Sequence, residues 1–316
     1  MSAADFYCGI LHTLNDQTDE LSKKRCTVIQ RKLGALLGLQ GPPSEKPQAA
    51  FVMTHLGMGD MINCIGLVRY ISTCYDTTTV VCKASALENM RQIYAEDPTI
   101  NFHVVESDKD ISPAFRGDYD EFFAALGDRE PILCGDHAII WADRMQSQAP
   151  LPFNFYEDAN VSQDYFWDYA RIPSTAASKA LAATVAHISY IVTHMGSSTG
   201  AVFDVKTLES AGYSAESVCI LDINTNIYTP GHRWHALAET FVNRPMLDYV
   251  DAICGAHAVI LSDSSVFCIA LQLPIKTGEC YVVSRSGADY SYLYGPDCGY
   301  LPSSGKPLFR ALDMCA

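Results

Sequence analysis

Several features that usually identify a class of protein are absent from this sequence. No part of the 316 residues approaches the roughly 20 consecutive apolar residues of a membrane-spanning helix. The start of the chain has no basic segment followed by an apolar core, so it does not resemble a signal peptide. None of the 12 cysteines forms a CxxC pair, which argues against a structural zinc site. We therefore expect a cytoplasmic protein with reduced thiols and no transmembrane segment.

The short motifs of common nucleotide and metal enzymes are also missing. No glycine loop ends in GK[ST], as a P-loop does, and no GxGxxG follows a strand. The histidines show no metal-binding spacing such as HExxH. These absences disfavour simple NTPases and dinucleotide-dependent dehydrogenases, and we expect neither a bound metal nor an organic cofactor.

Positive charge is scarce. The chain has 22 lysines and arginines against 36 aspartates and glutamates, which gives a net charge of −14. Repulsion from a polyphosphate backbone then disfavours nucleic acid as a partner. Hydrophobic residues make up 48% of the chain, which is ample for buried cores, and its length suggests two domains.

The order of apolar patterns predicts an α/β protein. After a proline-rich break at residues 41–48, segments of period 2 and of period 3–4 alternate, and a second alternating series begins near residue 187. This alternation indicates parallel sheets flanked by helices. We predict an N-terminal helical segment packed on the first domain (1–48), a first Rossmann-like domain (49–172) and a second (173–316).

Two local predictions concern less regular parts of the first domain. Residues 150–172 are rich in aromatics and poor in regular period, which is typical of a linker, a cleft wall or a packed loop. Further upstream, Ser85 and Glu88 have the spacing of a capping box, which predicts a helix with Ser85 as its N-cap residue.

The most informative segment is residues 51–70, FVMTHLGMGDMINCIGLVRY. An apolar strand enters a loop with Gly57, Gly59 and Asp60, and a helix is predicted from about 60 to 73. Ligands of open α/β sheets bind at the carboxyl ends of strands, where this loop lies. Asp60 is therefore a candidate general base, provided that it lies near the reacting hydroxyl. The alternative is a glycine turn with a helix-capping aspartate.

A second strand-end loop follows the apolar run HAVILS. Asp263, Ser264 and Ser265 stand where that strand ends and a helix begins. The first amides of a helix are unpaired and attract phosphate, and serine hydroxyls there can donate to phosphate or sugar oxygens. Plain N-capping is the alternative, because Asp and Ser are the favoured N-cap residues.

Further donor-binding candidates lie in two other loops of the second half. Ser197 and Ser198 belong to a Gly/Ser loop after the strand HISYIVTH, and such loops commonly cradle phosphates. Asn224, His232 and Arg233 lie in the long loop after SVCILDIN. An asparagine can read a base edge and an arginine can offset diphosphate charge, although a solvated polar loop is the simpler alternative.

Together the two halves resemble the GT-B glycosyltransferases, and within them the heptosyltransferase-like group. HLGMGDMINCIGLVRYI is similar to the strand, G-[DE] loop and helix that open the first half of that family. NRPMLDYVDAICGAHAVILSDSSVFCIALQLP resembles the helix and the strand ending in D-S-[GS] of its second half. The sequence departs from the family at Ser265, where glycine is usual, and at Val266–Cys268, where the family has a histidine. The family's lysine after the first strand of the second half has no clear equivalent, because Lys206 comes late.

The resemblance implies two Rossmann-like domains that face each other across a cleft. It implies metal-independent transfer of a sugar from a nucleotide diphosphate to a glycan or other hydroxyl acceptor. Asp60 would be the base, with Gly57, Gly59 and Asn63 on the acceptor side. Ser264 and Ser265 would contact donor phosphate or sugar, with Asp263 ordering their loop. The alternatives are a nucleotide-sugar epimerase and a non-catalytic nucleotide- or carbohydrate-binding protein.

Overall fold

The computed structural model describes residues 12, 49–112, 120–127, 129–135, 137, 152–197, 200–284 and 308–312, without the side chains of residues 123 and 201. The chain forms two compact units, Met1–Tyr169 and Ala170–Ala316. The predicted N-terminal helical segment lies, apart from His12, outside the described residues and stays a prediction.

A four-stranded parallel sheet forms the centre of the first unit, in the order β3-β2-β1-β4. Strand β1 is almost wholly buried, as expected for a strand covered on both faces. The elements, in chain order, are β1 (Ala49–Met53), α1 (Met58–Asn63), α2 (Ile65–Cys74), β2 (Thr77–Lys83), α3 (Leu87–Ile93), β3 (Ile100–Val105), α4 (Asp120–Leu126), β4 (Glu130–Leu133), α5 (Phe153–Ala159) and α6 (Tyr165–Asp168).

The single helix predicted from about residue 60 to 73 is broken into α1 and α2. The buried hydroxyl of Tyr156 accepts a hydrogen bond from the amide of Leu67 at 3.1 Å and donates one to the carbonyl of Asn63 at 3.0 Å. It thus replaces a regular i to i−4 bond of the helix, a known cause of helix breaks. A Cβ at Gly66 would lie only 2.9 Å from this hydroxyl, so the approach needs glycine.

Two sequence expectations for this unit are wrong. Ser85 does not cap a helix, because it lies within a 3-10 turn (Ala84–Ala86) and Ala86 is the N-cap residue of α3, without a capping side chain. Residues 150–172 are more regular than expected, since α5 and α6 occupy most of their described part. Their aromatics form buried clusters, for example Phe153 against Phe166 at 5.8 Å, and this packing stabilises helices that the sequence pattern did not predict.

The second unit is built on a five-stranded parallel sheet, in the order β11-β10-β9-β5-β8. Strands β5 and β9 are buried along their whole length at its centre. The elements are α7 (Ala176–Val185), β5 (Tyr190–His194), the hairpin β6 (Gly196–Ser197) and β7 (Gly200–Ala201), α8 (Val205–Ser210), β8 (Cys219–Asp222), α9 (His235–Glu239), α10 (Val250–Gly255), β9 (Ala258–Ser262), α11 (Ser265–Ala270), β10 (Cys280–Val283) and β11 (Arg310–Ala311).

The predicted fold class is confirmed: the chain is α/β, with two parallel sheets flanked by helices. Cys64, Cys82 and Cys219 are buried and form no disulfide within the described residues, and Cys268 is partly exposed. No helix within the described residues is long and apolar enough to cross a membrane.

Candidate functional site

Asp60 lies in the first turn of α1, beyond the carboxyl end of the central strand β1. Gly57 is the N-cap residue of this helix, and no side chain caps it. A Cβ at Gly57 would lie 2.8 Å from Asp60 Oδ2, so the carboxylate folds back over the glycine. The absence of a side chain at Gly57 is what gives the carboxylate this position.

Burial raises the pKa of Asp60, and the nearby carboxylate of Asp108 adds to the rise, while His55 and Lys83 oppose it. No described residue donates a hydrogen bond to the Asp60 side chain. A half-buried carboxylate of this kind has lone pairs available to accept a hydrogen bond from a hydroxyl group. A raised pKa also increases its strength as a proton acceptor, which is the requirement for general-base catalysis near neutral pH.

The neighbouring strands bring further polar groups to the same edge of the sheet. Lys83 ends β2 and pairs with Asp108, which follows β3, at 2.7 Å. His55 follows β1, and its ring lies so close to Gly135 that a Cβ there would be 2.3 Å from Nε2. Gly135 itself has φ +63°, a conformation that favours glycine. The first unit therefore has polar side chains at or just after the ends of β1, β2 and β3, and a glycine after β4.

The other predicted residues of this loop differ in their surroundings. Gly57 is exposed and Gly59 half-buried at the start of α1. Asn63 is buried on that helix rather than in the loop, and its Oδ1 has no hydrogen-bond partner within the described residues. The structure therefore brings Asp60, Gly57 and Gly59 together at the helix start, while Asn63 lies one turn further along.

In the second unit, His194 and Ser264 meet where the central strands β5 and β9 end. His194 is only 7% exposed, and its Nδ1 lies 2.7 Å from Ser264 Oγ. Ser264 occupies the N-cap position of α11, but its side chain makes no capping hydrogen bond. The capping alternative therefore does not describe Ser264, whose hydroxyl is directed to the histidine.

Two more side chains complete this group. Ser262 Oγ donates to the carbonyl of Gly196 at 2.6 Å and lies 3.3 Å from His194 Nδ1. The side chain of Asn224 lies beside the same ring. Burial lowers the pKa of His194, against the opposing effects of Asp222 and Asn224. The imidazole is therefore neutral at neutral pH.

Asp222, the last residue of β8, holds the loops around this group. Its Oδ2 accepts from Thr193 Oγ1 at 3.0 Å and from the Met195 amide at 2.8 Å. Its Oδ1 accepts from the amides of Asn224 and Thr225, both at 2.9 Å. The carboxylate is 2% exposed and fully used by these four donors, so its role is to fix the loops that follow β5 and β8.

The remaining donor-site candidates are distributed unevenly. Asp263 is buried directly before Ser264, and Ser265 is half-buried as the first residue of α11. Ser197 lies in the β6–β7 hairpin, where its hydroxyl donates to the carbonyl of Gly200 at 3.4 Å. Ser198 lies outside the described residues.

His232 and Arg233 are not brought to the His194 group. Arg233 donates to the carbonyl of Glu216, which precedes β8, and its guanidinium stacks on Trp234. His232 stacks on Tyr228 with ring centroids 4.4 Å apart, and the Tyr228 hydroxyl accepts from the amide of Ile220 in β8. Both residues therefore pack around the outer edge and amino end of β8, whereas Asn224 lies near its carboxyl end.

Sequence reasoning missed His55, Lys83, His194 and Asp222 as members of these groups. Each stands at or just after the last residue of a buried strand. Asp60 and Ser264 were selected because ligands of open α/β sheets bind at the carboxyl ends of strands. The same criterion, applied to every predicted strand, would have found all four residues. Within the described residues, no group of three or more His, Cys, Asp or Glu side chains could hold a metal ion.

No protein-family model and no curated protein matches the chain. Among solved structures it is similar to a glycosyl transferase of family 9 from Veillonella parvula, with 11% identity, a TM-score of 0.49 and coverage of 87% of this chain and 90% of that one. It is also similar to the E. coli ADP-heptose LPS heptosyltransferase II, with 12% identity, a TM-score of 0.45 and coverage of 74% of this chain and 84% of that one. A third similar structure is E. coli heptosyltransferase WaaC with ADP-2-deoxy-2-fluoro heptose, with 16% identity, a TM-score of 0.40 and coverage of 83% of this chain and 93% of that one. At such identities and TM-scores the assignment of the fold rests on the two parallel sheets of the chain itself.

Proposed function

We propose that this protein is a glycosyltransferase that moves a sugar from a nucleotide-diphosphate donor to a hydroxyl group of a glycan or similar acceptor. The acceptor oxygen forms a bond to the anomeric carbon of the sugar, and the bond from that carbon to the diphosphate breaks. Asp60 takes the proton of the acceptor hydroxyl, and the nucleoside diphosphate leaves. No step in this proposal uses a metal ion.

The environment of Asp60 is the observation that carries the proposal. Its carboxylate is half-buried at a ligand-binding edge, has a raised pKa and receives no hydrogen bond from any described residue. The adjacent His55 and Lys83 favour the ionised carboxylate and so oppose the effect of burial on its pKa.

The second unit would bind the donor. Ser264 and Ser265 stand at the end of the central strand β9, with Asp263 buried behind them. Asn224 is exposed beside the same group, at the end of β8. We assign these residues to the phosphate or sugar of the donor. His232 and Arg233 lie around the other end of β8, so we give them no contact with the diphosphate.

A transfer assay tests the proposal. The full chain is incubated with UDP-, GDP-, ADP- and CDP-linked sugars and a glycan mixture, and release of nucleoside diphosphate is followed. We expect Asp60→Asn to lower turnover about 10²–10⁴-fold, the usual contribution of a general base. Binding of the matching nucleoside diphosphate should be retained, and at 100 times its Kd it should stabilise the variant by about 2.7 kcal/mol.

Asp168→Asn is the matched control, because Asp168 is an exposed carboxylate on α6 of the same unit. Unchanged turnover in Asp60→Asn would remove Asp60 from the mechanism. Conversion of a sugar nucleotide in the absence of any acceptor would favour the epimerase. Nucleotide binding without turnover, equal in the wild type and in Asp60→Asn, would favour a binding protein.

A further inference from the structure

The ammonium group of Lys83 is neutralised by a carboxylate from the neighbouring strand. Lys83 is the last residue of β2, and its Nζ lies 2.7 Å from Oδ1 of Asp108, in the segment that follows β3. The two side chains are only 30% and 27% exposed, so water screens their attraction less than that of a fully exposed pair. An anionic ligand at this edge would therefore have to compete with Asp108 for the lysine.

The turn that carries Asp108 is fixed by a capping box. The Ser107 hydroxyl accepts a hydrogen bond from the amide of Lys109 at 3.1 Å, and the Asp110 carboxylate accepts one from the amide of Ser107 at 2.6 Å. Asp108 is the first residue of this short 3-10 turn. These bonds restrict the backbone at Asp108 and so hold its carboxylate beside Lys83.

The ion pair lies at the same edge of the sheet as Asp60. In the register of the first two strands Val52 pairs with Val80, so the chain leaves β1 level with Lys83. Neighbouring strands are about 4.8 Å apart, which separates the ends of β1 and β3 by about 10 Å. The Debye length is also about 10 Å at 0.1 M salt. A charged substituent next to a hydroxyl that reaches Asp60 is therefore within the electrostatic range of Asp108.

The charges at this edge disfavour a further anion. Asp60 in its ionised form and Asp108 contribute two negative charges, and Lys83 contributes one positive charge. His55, which follows β1, would bring the sum only to zero if it were protonated. A phosphate or carboxylate group of an acceptor would thus meet two like charges and a lysine that is already paired.

The cavity next to this edge is acidic as well. It has a volume of about 490 Å³ and lies between the end of β3 and α4, where Glu106, Asp110 and Glu121 contribute to its lining. His103 also lines it, and burial and the nearby Arg129 lower the pKa of this histidine, so it is neutral at neutral pH. The negative charge of the edge therefore extends beyond the ion pair.

We propose that the Lys83–Asp108 ion pair selects against anionic acceptors, so that the acceptor of this protein is a neutral or amine-bearing glycan without phosphate or carboxylate groups. This inference rests on the function proposed above. Asp108 determines specificity in two ways, because it occupies Lys83 and repels a second anion. A hydroxyl or an ammonium group meets no such repulsion.

Fractionation of the acceptors tests the inference. The glycan mixture of the transfer assay is separated by ion exchange into anionic, neutral and cationic fractions, and each is assayed with the sugar nucleotide that gives the fastest turnover. We expect the neutral or the cationic fraction to accept sugar at least about 10-fold faster than the anionic one at equal total sugar.

An anionic fraction that accepts sugar as fast as the other two would overturn the inference and leave the proposed transferase intact. If no fraction accepts sugar, the proposed function is contradicted and the acceptor class falls with it.

Asp108→Asn tests the ion pair itself. The accepted glycan is compared with its counterpart in which one CH₂OH group is oxidised to a carboxylate. The substitution frees Lys83 and removes one repelling charge, so transfer to the carboxylate form should rise about 10-fold relative to transfer to the parent glycan. The ratio of the two rates is measured because a change at Asp60 affects both acceptors alike.

Glu96→Gln is the matched control, because Glu96 is an exposed carboxylate of the same unit just before β3, at the opposite end of the sheet. It removes the same charge without touching the ion pair. A ratio that changes as little in Asp108→Asn as in this control would show that the ion pair does not select the acceptor.

Discussion

Asp60 and Asp222 are two aspartates at the carboxyl edges of two parallel sheets, yet their surroundings are opposite. Asp60 receives no hydrogen bond from any described residue, and burial raises its pKa. Asp222 accepts four hydrogen bonds that tie β5 and the loop after β8 together. A carboxylate can accept a substrate proton only if its lone pairs are available, whereas one that uses all of them stabilises the fold. We therefore propose a chemical role for Asp60 in the first unit, whereas Asp222 has a structural role in the second.

The same substitution at these two positions should have opposite effects on stability, and the larger effect is expected at Asp222. In Asp222→Asn an NH₂ group replaces one acceptor oxygen and faces two of the four donors, which lose their partner in a buried site. We expect the free energy of unfolding to fall by about 2–5 kcal/mol in urea titrations followed by circular dichroism. The exposed Asp168→Asn should stay within about 0.5 kcal/mol. A loss as small as that control's would show that Asp222 does not hold these loops.

Gly135→Ala should have the next largest effect. The new Cβ would lie 2.3 Å from His55 Nε2, and alanine would have to adopt φ +63°. Overpacking and left-handed strain together should lower the free energy of unfolding by about 2–4 kcal/mol.

Gly196→Ala provides the comparison in the second unit, measured in the same way. There the atom met by the new Cβ is the end of the exposed Asn224 side chain, which can move, so a loss below about 1 kcal/mol is expected. Equal losses for the two alanine variants would mean that the two sites do not differ in rigidity.

Asp60→Asn should produce the smallest change in stability, and a change of opposite sign to that at Asp222. The pKa of Asp60 is higher in the folded than in the unfolded protein, so ionisation is less favourable after folding. The wild type therefore loses stability relative to the variant as the pH rises from about 4, the unfolded pKa, through the folded pKa. We expect urea titrations to show a more stable variant at pH 7 and a smaller difference at pH 4.5. A variant less stable than the wild type at pH 7 would indicate a structural role for Asp60.

Much of the fold was predictable from local patterns. The strands of both sheets were recognisable because β-branched and aliphatic residues run together in them, as in Thr77–Lys83 and Ala258–Ser262. The helices α5 and α6 were not predicted, because their aromatics are fixed by tertiary contacts that sequence periodicity does not contain.

The candidate site was predictable only in part, for a related reason. Position after a strand selected Asp60 and Ser264, since the carboxyl ends of parallel strands meet at one edge. The same position did not reveal which way a side chain turns. Arg233 and Asn224 belong to one predicted loop, yet the structure places Arg233 near the amino end of β8 and Asn224 near its carboxyl end. The approach of His194 to Ser264 joins residues 70 positions apart, which no local pattern encodes.

The Tyr156 hydroxyl that separates α1 from α2 also bears on how the first unit folds. It joins positions 93 and 89 residues apart in the chain, so closing this contact has a large entropic cost that local helix formation does not share. The break between α1 and α2 is therefore completed only when α5 docks against it. The short helix that carries Asp60, the proposed base, thus ends at a long-range contact within the first unit.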